Sequence, residues 1–234
     1  VKKALAAIDR AGILLVFPDR NRPEPPSLWS CLHPREPMRW EWDDDGDDRV
    51  SRLWHLRAEL STTRKAVYTK WFRGKATYFS RPVFEAMLRA LNPGGFEAGL
   101  SEDARRLLRI LEGESPLSTK ELKRQADLPG RANEAAYTRA LRELWSRLLI
   151  VAYGEVDDGA FPSLAIGSTR VIFEELWERA STLDSKAALR RLAERLPKGS
   201  LFLGHFEKLR RAAHEPARAR KRVIPSVIRY EDTL

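Results

Sequence analysis

Apolar side chains recur at helical spacing through most of the chain. Lys2 to Ala11 predicts a short helix, and the unbroken apolar run Gly12 to Phe17, closed by Pro18, predicts a buried strand or helix end. Asp19 to Pro26 is polar and proline-rich, hence a loop, and apolar character resumes around Leu28 and Trp29. Val50, Leu53, Trp54, Leu56 and Leu60 define a helix from Arg49 to Leu60. A further helix, Arg81 to Leu91, stops at Asn92-Pro93-Gly94-Gly95, the first candidate boundary between domains.

Residues 101–166 carry an ordered series of signals. Ser101 caps a helix with Ala104, Leu107, Leu108 and Leu111 on one face, and Ser118 with Glu121 three residues later forms a capping box for a short second helix. Asp127-Leu128-Pro129-Gly130 is a turn. A third helix, about Asn133 to Leu149, buries Ala136, Tyr137, Ala140, Leu141, Leu144, Trp145 and Leu148. Strand-like Ile150 to Val156, the turn Asp157-Asp158-Gly159 and a returning strand Phe161 to Ile166 complete a winged helix. In such modules the third helix enters the major groove, and its outward positions here include Arg131, Glu134, Thr138, Arg139, Arg142 and Arg147. Glu155, Asp157 and Asp158 in the wing oppose phosphate and suit a basic protein partner instead. Helices follow at Val171 to Ala180, Ser185 to Leu196 and Leu201 to Ala213. The fold class is therefore mainly α with small β-hairpins.

Composition narrows the classes. The 234 residues are 43% hydrophobic and 32% charged, an ordinary soluble composition. No apolar run approaches the roughly 20 residues of a membrane helix, and the N-terminus lacks the apolar core of a signal peptide. Cytoplasmic placement and no membrane partner are expected. The one cysteine, Cys31, makes no internal disulfide and is expected to be buried.

The net charge of +9 invites a nucleic-acid partner, and its distribution matters. Residues 1–100 hold 17 basic and 13 acidic side chains, residues 101–183 hold 12 and 14, and residues 184–234 hold 13 and 6. From Ser61 to Phe84 there is no acid, while Arg64, Lys65, Lys70, Arg73, Lys75 and Arg81 interleave with Tyr68, Trp71, Phe72, Tyr78 and Phe79. The pattern suits a groove that tracks a nucleic-acid backbone with stacking platforms. The aromatics at 68, 71 and 72 also match one buried helical face, and core packing is the favoured reading for them, leaving the cations to meet phosphate. Lys65, Lys70, Arg73, Lys75, Arg131, Arg139 and Arg142 are the candidate nucleic-acid contacts. Lys208 to Arg222 adds seven basic residues against Glu215 alone, either a nucleic-acid arm or a solvated tail.

Phe17-Pro18-Asp19, Pro26-Ser27-Leu28-Trp29, Leu53-Trp54 to Glu59-Leu60, Val67-Tyr68 to Lys70 and Gly74-Lys75-Ala76-Thr77, followed by the winged helix, together resemble the bacterial proteins related to AlkZ, the crosslink-repair DNA glycosylase also called YcaQ. The resemblance spans residues 10–180. It implies tandem winged-helix modules and a DNA-related ancestry. The Asn92–Gly95 break divides the chain into a winged-helix-like module (1–95) and a winged-helix domain (96–183), followed by a C-terminal helical segment with a basic tail (184–234). The glycosylases of that family carry a Gln-x-Gln catalytic motif. This chain has a single glutamine, Gln125.

Other catalytic signals are thin. No phosphate-binding loop, nucleophile elbow or metalloprotease helix occurs, the four histidines stand far apart, and Asp43 to Asp48 lacks the closing glutamate of a calcium loop. No metal or cofactor is expected. The reading is a noncatalytic protein that binds double-stranded DNA, a regulator or DNA-repair accessory. The alternatives are a divergent glycosylase using Glu41 or Asp43 on alkylated or crosslinked DNA, and a protein-interaction module acting through the acidic wing.

Overall fold

In the computed structural model, which describes residues 1–39, 48–128, 133–157 and 162–214, helix α1 (Lys2–Ala11) buries Ala4 and Ile8, one turn apart. Gly12 ends it at φ +79°, where an added Cβ would meet Val83 Cγ2 at 3.0 Å. The chain then enters β1 (Ile13–Leu15), which is buried throughout. Helix α2 (Leu28–Leu32) starts at Ser27, whose Oγ accepts from Ser30 N at 3.1 Å. Helix α3 (Asp48–Thr62) has Asp48 in its first turn, where a negative charge meets the open N–H groups.

Residues 66–80 are a β-hairpin, β2 (Ala66–Phe72) and β3 (Lys75–Ser80), so the helical-face reading of Tyr68, Trp71 and Phe72 does not hold. The segment is rich in aromatic and β-branched residues, and Arg73 and Gly74 between the strands both take positive φ, 53° and 76°, as a two-residue turn of primed type requires. Both faces of β2 are buried, which removes the period-2 signal. Helix α4 (Arg81–Leu91) follows directly.

The second half repeats this order. Helix α5 (Glu102–Gly113), strand β4 (Leu117–Ser118), helices α6 (Thr119–Gln125) and α7 (Glu134–Ser146), and the hairpin β5 (Ile150–Asp157) and β6 (Pro162–Ser168) retrace α1, β1, α2, α3, β2 and β3. The serine caps form as the sequence predicts: Ser101 Oγ accepts from Ala104 N at 3.3 Å and Ser118 Oγ from Glu121 N at 3.0 Å.

Among the described residues all strands join one antiparallel sheet of order β1-β3-β2-β5-β6-β4. Each hairpin gains its own short outer strand, and the halves meet where Tyr68 of β2 pairs with Ala152 of β5. The fold is thus mixed, with a continuous six-stranded sheet in place of isolated small hairpins. Sequence reading missed this because β1 and β4 are only three and two residues long and every pairing outside the hairpins is distant in the chain.

Helices α8 (Thr169–Ile172), α9 (Glu174–Thr182), α10 (Ser185–Arg195) and α11 (Leu201–His214) close the described chain. Buried Glu85 of α4 holds two of them, accepting from Arg179 Nε of α9 at 2.8 Å and from Arg191 Nη1 of α10 at 3.0 Å. The Asn92–Gly95 break is held as well. Arg147, at the end of α7, donates to Asn92 Oδ1 (2.8 Å) and to the carbonyls of Ala98 (2.8 Å) and Phe96 (2.9 Å). This arginine serves the connection between the halves, although its sequence position pointed outward. Cys31 is exposed, against expectation. Glu41, the Asp43–Asp47 cluster, Arg131, Asp158 and the basic tail from residue 215 lie outside the described residues.

Candidate nucleic-acid interface

The β2–β3 turn, one face of α7 and the side of α11 enclose a groove of about 530 Å³. Thr138, Leu141, Arg142 and Trp145 recur at i, i+3, i+4 and i+7, so α7 turns all four into it. Lys70, Trp71, Arg73 and Gly74 supply the strand wall, and His205 and Leu209 of α11 the third side. Helix α11 is anchored by aromatic contacts: Phe202 meets Phe72 edge-on at 5.1 Å, and His205 meets Trp71 edge-on at 4.8 Å.

Three of the candidate cations, Lys70, Arg73 and Arg142, thereby converge, although 72 positions separate the first from the last in sequence. Among the described residues no carboxylate belongs to the groove lining. Among the described residues none of the three forms an ion pair, whereas Arg57, Arg81, Arg124, Arg179 and Arg191 all do. Lys70 is half-buried. Its burial, followed by the nearby Arg57 guanidinium, pushes the ammonium below its ordinary pKa. Arg73 sits at the hairpin tip, its guanidinium 5.0 Å from the Phe72 ring centre. It also lines an adjoining hollow with His205, Lys208, Ser200 and the acidic Glu207.

His205 is itself partly buried. Because a carbonyl only accepts, the contact of Nε2 with Trp71 O at 3.2 Å places a proton on Nε2. Burial lowers its pKa, and Arg73 and Lys208 lower it further against the raising effect of that hydrogen bond.

The remaining candidates lie elsewhere. Lys75 pairs with Asp19 at 3.1 Å. Lys65 is exposed at the opposite end of β2 from Arg73, eight residues away, roughly 26 Å at about 3.3 Å each. Arg139 is exposed on α7 beside Arg142 but does not line the groove, and Arg131 lies outside the described residues. Sequence reasoning assigned Leu141 and Trp145 to the core and did not place His205 or Leu209 near them. The i, i+3, i+4, i+7 pattern of Thr138 to Trp145 was the available signal.

The wing is less acidic than its sequence. Glu155 of β5 pairs with Arg57 of α3, which is 5% exposed. That guanidinium also donates from Nη1 to Tyr68 Oη at 3.1 Å and lies 4.2 Å from the Trp54 ring centre, while its Nε has no partner among the described residues. Tyr78 Oη donates to Arg57 O at 2.6 Å. Glu155 is therefore committed to an internal pair.

Residues 1–200 match the family described as AlkZ related. The chain belongs to the AlkZ-related family. No curated relative and no solved structure matches it. The match covers both halves of the sheet and two of the groove walls, the β2–β3 hairpin and α7, and ends before α11, the third. Among the described residues of this AlkZ-related chain, no cluster of three or more His, Cys, Asp or Glu could hold a metal, and no helix is long and apolar enough to cross a membrane.

Proposed function

We propose that the protein binds double-stranded DNA without cleaving it, as an accessory in DNA repair, with Arg73, Arg142 and neighbouring Arg139 on phosphates at the groove mouth and Lys70 deeper within. The observation that carries this is the convergence of three cations on one groove, with no ion pair to them and no carboxylate in its lining among the described residues. Such a cluster repels itself and gains most from a polyanion. The repeated order of elements supports the tandem winged-helix reading of residues 1–95 and 96–183: each half has a helix, short strand, two helices and hairpin, with the short strand beside the returning strand. Membership of the AlkZ-related family supports the repair setting.

Fluorescence anisotropy on a labelled duplex over a salt series tests it. Neutralising three phosphates gives a slope of log K against log salt of about −2.7, and Arg142→Ala or Arg73→Ala brings it up by about 1. Absence of binding at low salt, or a flat series, refutes the proposal. Family membership also favours a divergent glycosylase. Release of a modified base from alkylated duplex, lost on changing Glu41 or Asp43, would replace the noncatalytic reading with that one.

A further inference from the structure

A duplex backbone explains the cations at the mouth of the groove but not its interior. B-form DNA presents phosphates on a convex surface, and exposed arginines such as Arg139 meet it without any cavity. Here the walls are apolar. Trp71, Leu141, Trp145 and Leu209 line a space of about 530 Å³, within the range of about 300–1,000 Å³ typical of sites that enclose a small organic group. Lys70 is half-buried among them, held at a lowered pKa, and pairs with no anion among the described residues. A half-buried ammonium carries a desolvation cost that a nearby anion offsets. Trp71, 2% exposed, also keeps its indole N–H without an acceptor among the described residues.

We infer that this groove seats one unpaired nucleotide of the bound DNA. Its base packs against the wall of Trp145, Leu141 and Leu209, its phosphate lies toward Lys70, and Arg73 and Arg142 hold the flanking backbone. An unstacked nucleotide combines a flat apolar face with an anion a few bonds away, the combination the walls and Lys70 offer. It also reaches a recessed cation that a smooth duplex does not. Stacking or packing of one base against aromatic and apolar side chains contributes about 1–3 kcal/mol, and any base supplies such a face, so the seat is tolerant of sequence. The preferred substrate class is then DNA with a base out of the stack: an overhang, a flap or a gap edge. This rests on the DNA-binding reading above.

The test compares three labelled DNAs with the full chain at one salt concentration: a blunt duplex, the same duplex with a short oligo-dT overhang, and that duplex with an abasic overhang of equal length. The abasic arm carries the added phosphates without the bases. The expected result is binding to the dT overhang about tenfold tighter than to blunt or abasic DNA. Thr138→Trp, which fills the groove from an exposed helical position, should bring the ratio of dT to abasic affinity to about one, and Lys70→Met should weaken binding of the dT overhang more than binding of the blunt duplex. If Thr138→Trp does not fold by circular dichroism, Leu141→Asn takes its place. Equal affinity for the dT and abasic overhangs, or a dT preference that survives both Thr138→Trp and Leu141→Asn, overturns the inference while leaving duplex binding intact. No binding to any of the three overturns both readings.

Discussion

Replacing Glu155 by leucine should destabilise the protein far more than replacing its partner. Glu155→Leu leaves Arg57, 5% exposed, with a neutral phenol and two aromatic faces for its charge, and its Nε is already without a partner. Removing one member of a buried ion pair costs about 3–5 kcal/mol. At about 2–4 °C per kcal/mol for a chain of this size, the melting temperature falls by about 6–20 °C. Arg57→Met is milder. It removes the orphaned Nε along with the charge, and the Glu155 side chain, 20% exposed, keeps access to water, so the loss is about 1–2 kcal/mol. Arg57→Met with Glu155→Leu should cost less than the sum of the two by about 2 kcal/mol or more. Urea denaturation followed by tryptophan fluorescence measures all three. Additive single effects, or a larger loss for Arg57→Met than for Glu155→Leu, would refute the account of Glu155 as the counter-ion of a buried cation.

Arg147→Ala removes the donors that hold Asn92, Phe96 and Ala98, and limited proteolysis should then cut within residues 92–98 at least several-fold faster than in the wild type. Glu85→Ala frees α9 and α10 from α4 at a cost of about 2–3 kcal/mol, less than two full charge-assisted bonds because Arg179 and Arg191 are half-exposed and rehydrate; a thermal shift below about 2 °C would contradict it. His205 has a folded-state pKa below its ordinary value near 6.5, so the unfolded chain takes up the proton first. Its contribution to stability is full above that value and is lost as pH falls through it toward the folded pKa; melting scans between about pH 7.5 and 5.5 should show the loss, and His205→Gln should flatten it.

Elements whose causes are local were legible in the sequence. Helix α5 announced itself through Ser101 and the spacing of Ala104, Leu107, Leu108 and Leu111, and α6 through Ser118. Strand β2 was ambiguous because both of its faces are buried, which erases the alternation that distinguishes a half-buried strand from a helix. At the site, Lys70 and Arg73 stood out as cations in an acid-free aromatic stretch. Their companions did not. The His205–Trp71 hydrogen bond spans 134 residues, and Leu141 and Trp145 have the composition of core whether they face a core or a groove. Lys75 looked equivalent to Lys70 until Asp19, 56 residues earlier, proved to be its partner.

The pairing of β2 with β5 bears on what either half is by itself. A strand edge left bare presents a row of unsatisfied amides and carbonyls that recruits any other edge it meets. Separated at the Asn92–Gly95 connection, each half would expose such an edge, β2 in one and β5 in the other, at equivalent positions in two units of the same order. Two detached copies would have to find each other in solution, with an occupancy that depends on their concentration. With both on one polypeptide the encounter is intramolecular, so the joint persists at any dilution, as in a dimer whose subunits have been fused end to end.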